Sequence, residues 1–532
     1  MNSKTRILIL GGGFGGIYTA MELSKSIARR SSGDVEISMV NKENYTVYTP
    51  MLGEVISGSL SPLDVSIAIR DLCPHINLFV QGVEHIDFDR KAVITSVNSS
   101  SVKNEIPYDH LVLALGLEDN FSIVRGLSDH GFHFKNVADA LILRYHIIAM
   151  LEQADTEKDT AKRRKMLTFV VAGGGFSGVE AIGEMNDYVR GAARRYNNIN
   201  DDDIKMILLH GYERILPEFP PSLSDYAYNI LKKNKIDIRL NVFIEAVTDD
   251  GAVLKGSTVI PTKTVVATIG GAPGAVLKAL PLKKERGRII VNQYLAVSEL
   301  PNIWAIGDCA YIMDNNTNKP CPPTAQFAVR EGKRLAHNII AEIDNRPKQP
   351  FSFKDLGMMS ALGHHSAAGV VLGIKVSGLL GWMMWRFVYW SKLPGTVRKI
   401  RVAFDWILDF VVPLDIVNIN LDPTENISKM HFEPGEIIFS EGDPGDKVFV
   451  ILSGDAEVLK GTAQNPVGIL TIGDCFGEGA LMYDKPRSAS VRTVTAVDVL
   501  TVERKAFKAL FTNVPVLREA FESIIYKRKD IA

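Results

Sequence analysis

Three short stretches of this 532-residue chain carry residue types suited to holding phosphate. The first is Gly11-Gly12-Gly13-Phe14-Gly15-Gly16 and the second Gly173-Gly174-Gly175-Phe176-Ser177-Gly178. In each, the glycines have separate jobs. Gly11 and Gly173 permit a tight turn, Gly13 and Gly175 let backbone approach a pyrophosphate, and Gly16 and Gly178 let a helix pack closely on a strand. The N–H groups that open such a helix have no partner within it and favour an anion. In the third stretch, Phe476 to Val491, a Gly477-Glu478 turn, a short apolar helix and then Arg487-Ser488-Ala489 form a cradle for a small phosphate ester.

Context gives these glycines their meaning. The apolar run RILIL feeds the first turn, a helical pattern spans Phe14 to about Arg30, and VEISMV reads as a second strand. LTFVV precedes the second turn, and a helical pattern again follows it. One such turn is weak evidence, but two in strand-turn-helix context predict two Rossmann-like dinucleotide-binding domains in an α/β fold. A further element, LPNIWAIGDCA, sets Gly307 and Asp308 directly after a short apolar strand. After the second strand of each unit a carboxylate is expected to accept the ribose hydroxyls, yet Asn41 and His210 stand there. Asn still accepts a hydrogen bond. Losing the carboxylate at His210 removes repulsion against a 2'-phosphate, so NADH and NADPH both stay open.

These signals, in this order, resemble flavoproteins with two dinucleotide-binding domains. The stretches NKENYTVYTPMLGEVISGSLSP (41–62) and PPTAQFAVREGKRLAHNI (322–339) resemble type II, non-proton-pumping NADH:quinone oxidoreductases. That resemblance implies an FAD-binding domain over 1–125 and 287–365, interrupted by an NAD(P)H-binding domain over 126–286. It implies that Gly11, Gly13, Phe14, Gly15, Gly16 and Asn41 hold FAD, with Thr49, Pro50, Gly116, Ala325 and Gln326 near the flavin and Gly307-Asp308 at its ribityl phosphate. Gly173, Gly175, Phe176, Ser177, Gly178, His210 and Gly270 would hold NADH or NADPH. Gln326 belongs to a quinone-lining signature in which Arg330 replaces the usual Gln. Glu180 falls where the family has a carboxylate near nicotinamide and flavin, with an orienting or proton-handling role; Glu184, one helical turn later, competes for it.

Bulk properties narrow the classes. A formal net charge of -1 with 46% hydrophobic residues gives no basic excess, and a nucleic-acid partner is not expected. Cys73, Cys309, Cys321 and Cys475 stand singly, which disfavours a redox dithiol and a zinc site and suits a reducing compartment. Adjacent His364 and His365 lack a third ligand at useful spacing, so no metal is assigned. A strand pattern begins almost at the first residue, leaving no room for a signal peptide.

Residues 366–421 read as a membrane-associated segment. Val376 to Trp385 is free of charge but too short to span a bilayer. Further on, Ile400, Phe404, Ile407 and Val411 share one helical face, with Arg398, Arg401, Asp405 and Asp409 on another. Trp382, Trp385, Trp390 and Trp406 suit a lipid-water boundary. Two readings stay open: attachment to the cytoplasmic face of a membrane, close to a lipid-soluble quinone, or a helical pair buried against the flavin domain or a partner in a homodimer, the assembly expected here.

Short alternating strands between glycine turns then predict a separate antiparallel β-roll over 422–532, closed by helical residues 503–526. It resembles cyclic nucleotide-binding domains. That resemblance gives Glu478 the ribose 2'-OH and Arg487 the cyclic phosphate, with Gly477, Ser488 and Ala489 completing an anion nest; cAMP and cGMP both remain possible. The expected function is an FAD-dependent NAD(P)H:quinone oxidoreductase regulated by a cyclic nucleotide, against the alternative of a slow-turnover flavoprotein sensor or scaffold.

Overall fold

The computed structural model describes residues 4–28, 34–96, 103–119, 123–409, 415–418, 427–443, 445–461, 466–482, 486–504 and 507. The chain divides into two compact units, residues 1–418 and 419–532.

Strand β1 (Thr5–Leu10) is central to the first sheet because its Val/Ile/Leu-rich residues are covered on both faces, the mark of a parallel strand. It pairs in parallel with β2 (Val35–Asn41) on one side and with His110–Leu113 on the other. Asn77–Val80 and the distant Ile303–Ala305 complete five strands. That last strand delivers the Gly307-Asp308 turn to the same sheet end as the first glycine turn. Helix α1 (Phe14–Ala28) follows the turn, as expected from Phe14 onward; residues 29–33 lie outside the described residues.

The second sheet repeats the plan. Strand β3 (Thr168–Ala172) is fully buried and lies between β4 (Lys205–His210) and Thr264–Ala267, with Ile236–Leu240 at the edge, all parallel. Helix α2 (Phe176–Ala193) runs back from the second turn. Gly183 within it has no room for a Cβ, which would lie 2.6 Å from Gly363 N. The helix is thereby seated against the loop that carries His364 and His365.

Helix α3 (Ala325–Ile343) packs on α1 through Gly332, where a Cβ would come within 2.5 Å of Gly15 O. A three-stranded antiparallel sheet, 357–377, leads into α4 (Gly378–Lys392) and α5 (Thr396–Leu408). The four Trp residues do not form the expected boundary belt. Trp382 and Trp385 are buried in the core with Ile182, Met185 and Tyr188, while Trp390 and Trp406 are only partly exposed. Two tryptophans are removed from water because core packing there rewards large apolar area.

Helix α5 turns most of its apolar face outward, although Val402 is buried and Arg401 is exposed. Val397, Ile400, Phe404 and Ile407 are each about three-fifths exposed or more, whereas Arg398 donates to Leu63 O and Ser66 O and Asp409 sits in a polar cluster. Leu379, Leu380, Met383 and Phe387 of α4 are exposed as well. Val411, expected on the same face, lies outside the described residues. Among the described residues no helix is long and apolar enough to cross a membrane.

The second unit is a β-roll of two four-stranded antiparallel sheets. Phe449 and Phe476 stack at 5.2 Å, with Phe439 against both, and Ile451, Val497 and Val499 fill the space between the sheets. Of the expected closing helix, Glu503 instead ends the strand Val497–Glu503, Arg504 and Phe507 are helical, and the rest lies outside the described residues.

Candidate active site and phosphate cradle

Both glycine turns are built to leave one side open. Gly11 and Gly173 have φ of +106° and +123°, a region that side chains rarely adopt. A Cβ on Gly16 would collide with Gly11 O, and one on Gly178 with Gly173 O. At Gly13 and Gly175, by contrast, a Cβ would meet nothing within 4 Å. Close packing behind and open space in front is what a pyrophosphate at a helix N-terminus needs, so these residues fit FAD at the first turn and a pyridine dinucleotide at the second.

Asn41 and His210 share one construction. Gly12 N–H donates to Asn41 Oδ1 (2.8 Å), and Gly174 N–H donates to His210 Nδ1 (3.0 Å). Asn41 Nδ2 is further tied to Glu43 O (2.8 Å), which fixes the amide orientation and leaves its oxygen as the group able to accept from a ribose. Gly307, at φ +68°, donates to Glu331 Oε2 (2.8 Å), and burial raises the pKa of neighbouring Asp308. Gly116 and Gly270 also have left-handed backbone; a Cβ would meet nothing at the first and Ile123 at the second. Thr49-Pro50 opens a single 3-10 turn, and Phe14 packs edge-on to Tyr48, while Phe176 does so to Phe219 and Ser177 is exposed.

Glu180 lies one turn into α2, walled in by protein although part of its surface still faces solvent. Burial pushes its pKa up to about 8, only partly offset by the Ala361 N–H that donates to Oε1 (3.3 Å) and by the Trp385 indole. Glu184 is fully buried, with Oε2 lacking a hydrogen-bond partner. Burial, with Glu54 and Asp187 adding to it, also raises its pKa, while His364 opposes the rise.

Sequence reasoning missed the groups around this pair. His364 Nε2 pairs with Asp409 Oδ2 (2.9 Å), its backbone N–H donates to Asp187 Oδ2 (2.5 Å), and these acids raise its pKa despite burial. Arg386 bridges Asp409 (3.3 Å) and Glu54 (3.1 Å) and lies between the Trp382 and Trp406 rings. Trp406 Nε1 donates to the second Glu54 oxygen (3.1 Å). Buried charge is tolerated here because each ion has a partner. The adjacent His364 and His365 drew notice in the sequence only as a pair to which no metal was assigned, and nothing there pointed to this network.

Gln326 and Arg330 are placed apart from these acids. Gln326 is bound to the 355–357 turn, donating to Asp355 Oδ1 (2.6 Å) and Gly357 O and accepting from Leu356 N–H. Ala325 opens α3. Arg330 lies over the Phe353 ring at 4.7 Å and donates to Gln326 O. Helix α4 links the two regions: Tyr389 senses the charge of Glu180, and Lys392, a turn on, senses that of Arg330.

The pyridine nucleotide-disulphide oxidoreductase family matches residues 5–332, more than half of the chain. The chain belongs to that family. Among relatives of this pyridine nucleotide-disulphide oxidoreductase, a type II NADH:quinone oxidoreductase of Staphylococcus saprophyticus is 28% identical over 70% of this chain and 92% of its own. A probable NADH dehydrogenase of Dictyostelium discoideum is 29% identical over 77% and 90%. The fold matches NDH2 of Plasmodium falciparum, solved in complex with NADH, with a TM-score of 0.71 at 20% identity, covering 78% of this chain and all of that one. Its homologues are oxidoreductases, and so is this chain.

A cyclic nucleotide-binding domain matches residues 429–513. In this second unit of the oxidoreductase, Arg487 is buried across the cradle. It donates to Gly477 O (2.8 Å) and Lys447 O (2.8 Å), pairs with Asp446 (3.3 Å) and stacks on Phe439 at 4.2 Å. Gly477 has φ +83°; Glu478, buried, opens a short helix to Met482; Ser488 is exposed and Ala489 half-buried.

The raised pKa of Glu180 has a consequence for stability. In the unfolded chain a Glu ionises near pH 4.3, so between there and about 8 the folded state holds a proton that the unfolded state has lost. Folding stability contributed by this group is therefore full below that window and falls as pH rises through it. Glu180→Gln mimics the protonated acid. Its melting temperature is expected to match wild type only below about pH 4 and to exceed it increasingly towards pH 8; a gap independent of pH would refute a neutral Glu180.

Proposed function

We propose that this chain is a type II NAD(P)H:quinone oxidoreductase that binds FAD, docks on a membrane surface and responds to a cyclic nucleotide. The observation that carries the redox reading is the position of Glu180, a half-buried carboxyl whose pKa burial pushes up to about 8, one helical turn beyond an open dinucleotide turn. Net chemistry is NAD(P)H + H⁺ + quinone → NAD(P)⁺ + quinol. FAD, when bound, supplies the two-electron acceptor and donor. The first turn with Asn41 and Asp308 would hold it, and the second turn would hold the dinucleotide. Glu180 keeps a proton available at its carboxyl, and Glu184 with His364 stands behind it as the next titratable groups. Burial among Trp385, Tyr389 and Ala361 limits water at that point. The domain limits given above, 1–125 with 287–365 and 126–286, belong to this proposal.

Membrane docking is supported by the outward apolar faces of α4 and α5, a patch that a soluble monomer rarely exposes. Peripheral attachment at the cytoplasmic face, and a homodimer, complete the proposal. With about 2 kcal/mol lost per large apolar side chain, Ile400→Glu with Phe404→Glu should weaken partition into phospholipid vesicles roughly 1000-fold. Co-sedimentation unchanged by the double variant would refute docking through α5.

The test of the whole reading is steady-state oxidation of NADH and NADPH with menadione, with and without cAMP or cGMP. Rapid quinone-dependent turnover, altered by one nucleotide, is expected. Turnover at the oxygen background would favour the sensor or scaffold, a reading that the tethered Gln326 amide keeps alive.

A further inference from the structure

His210 stands at the end of β4, where a ribose-binding carboxylate would be acidic, and is only 7% exposed. Its chemistry is fixed by geometry. Because Nδ1 accepts from Gly174 N–H, the hydrogen of the neutral ring resides on Nε2. Nε2 is buried and makes no hydrogen bond of good geometry, although the Arg214 backbone is close enough to favour the ring's protonated form. This differs from Asn41, whose spare Nδ2 is consumed by Glu43 O. His210 therefore offers a donor where a carboxylate would offer an acceptor.

The loop after β4 is fastened to the same glycine turn, since Leu216 N–H donates to Gly174 O (2.8 Å). Between these two anchors lie Tyr212, edge-on to the His210 ring at 5.4 Å, and Arg214. The Arg214 guanidinium gives one N–H to Pro217 O (3.0 Å), while its Nε is buried and has no partner. Two cationic or donor groups with spare hydrogens thus flank the place where the adenosine ribose of a dinucleotide on this turn must lie. Glu213 and Glu218 of the same loop are exposed.

A donor serves a ribose hydroxyl oxygen or a phosphate oxygen equally, whereas a carboxylate accepts from the hydroxyl and repels the phosphate. We propose that the second dinucleotide site accepts the 2'-phosphorylated cofactor, NADPH, on terms close to NADH, with His210 Nε2–H donating to the 2' oxygen and Arg214 facing the phosphate. This rests on the oxidoreductase reading above and names its reductant.

Equilibrium binding of NADH and NADPH, read by nicotinamide fluorescence, tests it on the purified protein. Competition by 2',5'-ADP against ADP provides a second measurement that needs no variant. The Kd for NADPH is expected within about tenfold of that for NADH, with 2',5'-ADP competing at least as well as ADP. His210→Glu, with its fold checked by melting temperature, should shift the NADPH:NADH ratio at least about tenfold towards NADH. NADPH bound more than tenfold weaker than NADH by the wild type overturns the proposal, as does an unshifted ratio in the variant. Failure of both dinucleotides to bind would instead overturn the oxidoreductase reading itself.

Discussion

Glu180→Gln is expected to lower quinone turnover about 100-fold or more, the scale of a positioned proton donor, with reduction by NADH changed far less. The substitution is mild where it is made. At pH 7 the folded protein already carries a protonated Glu180, so Gln preserves shape and neutrality and removes the proton that can be given away. Glu184→Gln should have the smaller effect, since Glu184 has no opening to the dinucleotide turn and would act through Glu180. Stopped-flow traces separate the two half-reactions. Equal slowing of both would make Glu180 an orienting group for nicotinamide, and no slowing of either would remove it from the chemistry.

Arg487→Ala is expected to weaken cyclic nucleotide binding at least about 100-fold, because two charge-assisted hydrogen bonds to a phosphate are lost. The same side chain ties Gly477 O, Lys447 O and Asp446 together inside the roll, so its melting temperature should fall as well. Calorimetric titration well below the melting transition keeps the two effects apart. Glu478→Gln supplies the second variant, expected to reduce affinity through the ribose. If both variants bind cAMP and cGMP as wild type does, the cradle is not the binding site.

Much of this architecture was legible in the sequence because its determinants are local. A glycine at a fixed offset from a buried strand encodes its own turn, so β1, β3 and the helices after them could be read directly, as could the roll from its alternating strands. The polar cluster could not. Glu54, Glu184 and the later group of His364, Arg386 and Asp409 are separated from one another by more than a hundred residues and meet only through packing, as at Gly183 against Gly363. Helix α5 shows another limit. Periodicity revealed two faces but not which one meets solvent, and Asp409, expected with Arg398, Arg401 and Asp405 on the polar face, is mostly buried beside Arg386. Trp382 and Trp385 misled for a similar reason: the sequence contains an amphipathic aromatic, and the fold decides which end it buries.

The outward apolar face of α5 means that one short rod has two ends of business. Its outward side is greasy, while Asp409 at its terminus is a bolt in the same electrostatic assembly as His364 and Glu184. On the proposed docking, the helix that would meet lipid ends in the residue that raises the proton affinity of His364. A detergent that levers α5 would detune the acids behind the catalytic turn as well as strip away the quinone's solvent, and activity measured in micelles and in vesicles would differ in pH optimum, not merely in rate.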